Sequence, residues 1–217
     1  MTETLAMFPL ELVVFPEEKL ALHIFEDRYQ QLIADCENES ITFGIPAYIN
    51  KKMLFGTEVK LDRIVKRYES GASDIVCEGL RVFQIQSFYN NLGDKLYAGG
   101  TIKMLNNTED GTMLQRRRFL TLVQELYKAL DVTLPTFDPL LITSYSFAHK
   151  IGLALEQEHK LLQFESESDR FAFLIDHLSV TIPVIREINR TKELIKMNGH
   201  FKNFDPLDFT DFKLEDF

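Results

Sequence analysis

The first 33 residues constrain the fold most, because their hydrophobic period changes within a few turns of chain and a proline interrupts it. Phe8-Pro9-Leu10, Val13-Val14-Phe15-Pro16 and Leu22 to Tyr29 follow one another. Leu10, Leu12 and Val14 alternate with Glu11 and Val13, the pattern of a half-buried strand. Pro16 cannot donate to a central ladder, so that strand must stop or lie on an edge there. Leu20, Leu22 and Ile24 alternate again. From Glu26 the period turns helical, with Tyr29, Leu32 and Ile33 on one face.

Strand signals continue to about Leu105. Ile41 to Ile49 is apolar and β-branched but holds Gly44 and Pro46, which suggests a bulged or edge strand. Glu58 to Tyr68 alternates with a slip near Asp62, again the mark of a bulge. Glu69 to Ser73 is a turn in which Gly71 can take a positive φ. Ile75 to Phe88 forms the return strand, Asn90 to Asp94 a second turn, and Tyr97 to Leu105 a last strand. One helix inserted among such strands argues for a small curved antiparallel sheet or pseudo-barrel.

Polar Asn106 to Gly111 marks a boundary. Thr112 and Gln115 match a capping box, and Phe119, Leu122, Val123, Leu126 and Tyr127 follow at helical spacing. Asp138-Pro139 predicts a second helix through about Leu153. Glu156 to Phe164 predicts a third, and Ser166 with Asp169 opens a fourth. That helix is expected to kink or restart at Pro183 and to stop at Asn198-Gly199.

These residues together resemble a known family. The opening segment, Phe55-Gly56-Thr57, Asp62, Ile64, Ser70-Gly71 before Asp74, and Gly79, Arg81, Phe83 and Ile85 resemble the Lon protease N-terminal domain, also called the LON substrate-binding domain. Leu161-Leu162, Asp169-Arg170-Phe171 and Phe173-Leu174 resemble its helical half. The resemblance covers nearly the whole chain. It implies an α+β fold: a PUA-like antiparallel β pseudo-barrel at 1–108, a bundle of four or five helices at 109–200, and an acidic, Phe-rich tail at 201–217. It also implies a non-catalytic module that binds exposed hydrophobic or unfolded protein segments without ATP, as an adaptor or regulator of proteolysis with a protease as a candidate partner.

Composition narrows the alternatives. The net charge of -9 is spread over both halves, with 11 basic and 15 acidic residues in 1–105. That balance disfavours an RNA-binding PUA-like module, which needs a basic footprint. Arg116-Arg117-Arg118 reads as a solvated helix face, or else a contact for an acidic partner. No apolar run approaches the ~18 residues that span a bilayer, and Met1-Thr2-Glu3-Thr4 has no basic leader, so the expected location is cytoplasmic. Cys36 and Cys77 stand alone and read as reduced, buried thiols. His23, His149, His159, His177 and His200 lack metal-ligand spacing, so no metal or other cofactor is expected.

Full-length Lon carries an ATPase and a Ser-Lys peptidase, but no GxxxxGK[ST] run occurs here, nor GxSxG, HExxH or an EF-hand loop. The chain is therefore expected to lack both motor and peptidase. Glu26, Asp27 and Arg28 read as helix-start electrostatics, with Arg28 pairing a carboxylate. Two features read as binding candidates. Met53, Leu54 and Phe55 follow Lys51-Lys52 at the tip between two strands, where apolar side chains could grasp varied clients. Phe209, Phe212 and Phe217 lie among the acids of the tail, which carries a net charge of -3. The remaining alternative is a small-molecule sensor with a pocket in the PUA-like half.

Overall fold

The computed structural model describes residues 2–134 and 136–200, with side chains through Lys196. The expectations for 201–217, including Phe209, Phe212 and Phe217, lie outside the described residues. Chain order is β1 (Thr2–Met7), β2 (Lys19–Ile24), α1 (Asp27–Glu39), β3 (Phe43–Ile49), β4 (Lys52–Arg67), β5 (Ser73–Tyr89) and β6 (Ala98–Met104). Then come α2 (Met113–Ala129), a 3-10 turn at Ala148–Lys150, α3 (Leu155–Leu162) and α4 (Glu167–His200).

The fold is α+β, as expected, but the sheet is mixed rather than wholly antiparallel. Its strands run in the order β2-β5-β4-β3-β1-β6, and β5 pairs with β6 as well. Only β1 and β3 run parallel, Ala6 opposite Phe43 and Met7 opposite Gly44. The sheet therefore curls until β1 is held between β3 and β6.

Local chemistry explains the turns. Asn50 and Lys51 both take positive φ, 52° and 61°, giving a two-residue reversal between Ile49 and Lys52. Gly71 at φ 88° closes the β4–β5 hairpin. The register slip expected near Asp62 is present between Leu61 and Arg63. In β3 the register shifts after Pro46, yet the strand is internal, not an edge. α1 buries Tyr29, Leu32, Ile33 and Cys36, and Ser40 in the left-handed region ends it.

The expected strand over Leu10 to Val14 is replaced by a crossing segment. Leu10 makes a single bridge to Ala47, after which Val13, Val14 and Phe15 are all buried. Alternation survives, but it sends side chains into two cores. Val14 joins the sheet-side cluster with Phe43 and Ile75, whereas Val13 and Phe15 join the helix-side cluster.

In the helical half, Thr112 and Gln115 form the reciprocal capping box. α2 and α4 lie side by side in the same direction: Gln115 bonds Ser168 near their starts, and Arg186 pairs with Glu125 further along. One expectation fails. The predicted helix over 139–153 is a run of turns, because Asp138 accepts from Leu140 N and the hydroxyls of Thr143 and Ser146 bond locally. The half therefore holds three α-helices and one 3-10 turn among the described residues. α4 continues as one helix through Pro183 and does not restart there, with Ile182 buried and Ile185 packed just beyond it.

Gly79 shows how tightly the crossing segment meets β5. Its N–H donates to Glu18 O, its carbonyl accepts from Glu17 N, and an added Cβ would strike Phe15 O. Gly79→Ala should therefore lower stability in urea unfolding by more than about 2 kcal/mol. Gly93→Ala, in open space at positive φ, should cost about 1 kcal/mol. Equal losses would remove the steric account.

Candidate functional site

The β3–β4 hairpin carries Met53, Leu54 and Phe55 and divides them among three environments. Met53 pairs with Tyr48 and, with Pro9, Leu10 and Tyr29, lines an open depression of about 270 Å³. Arg28 and Glu11 edge it. Arg28 bonds Glu26, as the sequence suggests, and its guanidinium lies 4.5 Å above the Tyr29 ring. Tyr29 is in turn stacked on Phe8 at 3.7 Å. Leu54 is 49% exposed. Phe55 turns toward the helices and meets His159 edge-on at 5.8 Å, packed on the helix-side core. The depression is thus an apolar surface on backbone fixed by a tight turn and a stacked aromatic pair.

A second region lies along the seam between sheet and helices. His149 bridges the two halves, its Nδ1 2.8 Å from Glu158 and its Nε2 3.1 Å from Glu18. Those carboxylates, Glu18 first, outweigh burial and push the imidazole up to about 9. Deeper in, Arg170 donates to Ser144 Oγ, Phe164 O and Asn107 Oδ1, while Glu167 accepts from Ser144 N. A cavity of about 190 Å³ opens beside Arg170, walled by Pro16, Leu80, Val82, Leu105, Leu162 and Phe164. Sequence reasoning used Arg170 only as part of a resemblance. The available signal was spacing: Glu167 and Arg170 fall on the same helical stripe as Phe171, Leu174 and Leu178, so both charges were bound for the interior.

The two thiols are poorly placed for nucleophilic chemistry. Burial pushes the thiols of Cys36 and Cys77 up to about 12, which keeps them protonated. His23 bonds Asp74 at the surface and meets the Tyr68 ring edge-on, His177 bonds Ile151 O, and burial lowers His159. The side chain of His200 lies outside the described residues. Among the described residues, no group of three or more His, Cys, Asp or Glu could hold a metal ion. Nor is any helix among them long and apolar enough to cross a membrane.

A family model described as the ATP-dependent protease La (LON) substrate-binding domain matches residues 4–184, which take in all of the sheet but the first two residues of β1, together with α1, α2, α3 and the first half of α4. The chain belongs to the LON substrate-binding domain family. Its fold is similar to that of the Lon N-terminal domain protein from Xanthomonas campestris, at 22% identity and a TM-score of 0.62 over 80% of this chain and 98% of that one. It is also similar to the N-terminal domain of Mycobacterium avium complex Lon protease, at 17% identity and a TM-score of 0.59 over 82% and 98%. At these identities the likeness is one of fold. No curated protein matches the chain. Within this LON-family fold, the depression lies on the sheet half and the cavity at the junction with the helices.

The His149 bridge has a pH signature. Its folded pKa stands above the ordinary 6.5, so the stability it contributes is fully present below 6.5 and is lost as pH rises through about 9. The stability difference between the wild type and His149→Gln, followed by urea unfolding, should be largest below pH 6.5 and shrink toward pH 9. A difference independent of pH would assign His149 to packing alone.

Proposed function

We propose that this LON-family chain is a non-catalytic module that holds exposed apolar segments of unfolded polypeptide, acting as an adaptor or regulator of proteolysis. Membership of a substrate-binding family supports the reading, and one observation carries it: Met53, Tyr48, Leu10 and Pro9 line an accessible apolar depression on a tight hairpin and its neighbouring segment, with Leu54 exposed on the same hairpin. Such a surface suits clients that share greasiness rather than sequence. A methionine can adapt to each, while a fixed backbone limits the ordering cost on the module's side. The acidic balance of the chain points away from nucleic acid. Two unpaired buried thiols suit a reducing, cytoplasmic setting.

The test is capture of an unfolded client, reduced carboxymethylated α-lactalbumin, followed by fluorescence anisotropy. Met53→Ser with Leu54→Ser should weaken capture about fivefold to tenfold, near 1 kcal/mol, while leaving stability within about 0.5 kcal/mol. Phe55→Ser should instead cost stability, by about 2 kcal/mol or more, since that ring packs on the core. Undiminished capture by the double variant would remove the hairpin from the account. Failure of the wild type to bind the client at all would overturn the reading.

A further inference from the structure

The seam cavity has a charge pattern opposite to that of the molecule. The chain carries a net -9, yet the residues lining this space include two guanidinium groups, Arg81 and Arg170, and no carboxylate. Arg170 is 2% exposed, and its three hydrogen bonds go to neutral acceptors: Ser144 Oγ at 2.8 Å, Phe164 O at 2.7 Å and Asn107 Oδ1 at 2.7 Å. A guanidinium has five N–H donors, so two remain beyond these. Its carbon lies 4.7 Å above the Tyr145 ring, which supplies attraction but no counter-charge.

The nearby acids are committed elsewhere. Glu167 reaches Arg170 only through Ser144, and Asp110 accepts from Ser166 and Ser168. Glu58 pairs with Arg81 on the strand. No carboxylate among the described residues lies within ion-pair distance of Arg170. A buried cation is ordinarily matched by a directly bonded anion, because desolvation otherwise costs several kcal/mol. Here that position is left to neutral groups.

Size narrows the ligand. About 190 Å³ is below the ~300–1,000 Å³ of sites for drug-sized molecules, and suits one aliphatic group with a small head. We propose that the cavity binds a carboxylate carried on a short aliphatic body, the carboxylate on the spare N–H groups of Arg170 and the body against Leu80, Val82, Leu105 and Leu162. Two sources present that chemistry: the C-terminal residue of a polypeptide and a free branched short-chain acid. The first rests on the reading of the chain as a polypeptide-binding module and would give that module a preference for chain ends. The second stands without it.

Calorimetry on the full chain distinguishes them with three probes: N-acetyl-Ala-Ala-Leu as the free acid, the same peptide as its C-terminal amide, and isocaproate. The free-acid peptide should bind at least about tenfold tighter than the amide, the scale of a charge-assisted hydrogen-bond pair. Arg170→Gln should abolish that preference. Because Arg170 also holds the seam together, Leu80→Phe serves as the second variant. Leu80 is only half buried and is not among the hydrogen-bond partners of Arg170, so a larger ring there is expected to occupy the cavity and block the free-acid peptide by a similar factor. Binding of isocaproate alone, lost in Leu80→Phe, would support the site and make a free acid its ligand. Equal binding of acid and amide, or binding indifferent to Leu80→Phe, would overturn the proposal. So would binding of none of the three probes. Continued capture of the unfolded client in any of those cases would leave the module reading intact.

Discussion

Burial of the Phe15 ring between sheet and helices is the constraint on which the rest of the molecule depends. The ring is stacked 5.1 Å from Tyr145 and lies tilted 4.8 Å from His149, both on the chain that links α2 to α3. Its backbone carbonyl presses on Gly79 in β5, and its N–H is held by Glu18, the same carboxylate that meets His149. One residue thereby ties the crossing segment, the sheet and the helical half. Loss of a buried phenylalanine ordinarily costs about 3–5 kcal/mol, a large share of the stability of a domain this size. The seam cavity lies beside this contact, with Pro16 and Tyr145 among its walls.

Much of this architecture was legible in the residues, and the failures have physical causes. Local signals held where local chemistry decides: the Thr112–Gln115 box, the Gly71 reversal, the slip by Asp62 and the apolar face of α1. The Leu10 to Val14 segment misled because its alternation is real. Periodicity reports that two sides differ, not whether a ladder partner exists, and here both sides are buried. The first strand, Thr2–Met7, begins with three exposed residues and shows no alternation to read. Residues 139–153 looked helical because Asp138-Pro139 reads as a cap followed by a first-position proline, but Ile142, Phe147 and Ile151 are buried in the helix-side core while short hydroxyl bonds shape the turns between them. Pro183 failed to break α4 because it faces solvent, and the packing of Ile182 and Ile185 offsets the roughly 3 kcal/mol that an interior proline costs.

The candidate site was legible only in part, for a related reason. The triplet Met53-Leu54-Phe55 could be recognised as a tip, but its division into a lining residue, an exposed one and a core one depends on neighbours far away in sequence. Phe55 meets α3, more than a hundred residues later, and Met53 meets the segment before β2. Arg170 was hidden more deeply. Its meaning comes from neutral partners at positions 107, 144 and 164, which no spacing rule connects.

The parallel β1–β3 pairing has an outcome for synthesis on the ribosome. Thr2–Met7 precedes the other strands of the sheet, but its parallel partner appears some forty residues later and its antiparallel partner, Ala98–Met104, close to a hundred later. Until then the nascent strand has two open hydrogen-bonding edges and nothing to dock on. Completion of the curled sheet therefore waits for Ala98–Met104, and the helical half is made only after every strand is available.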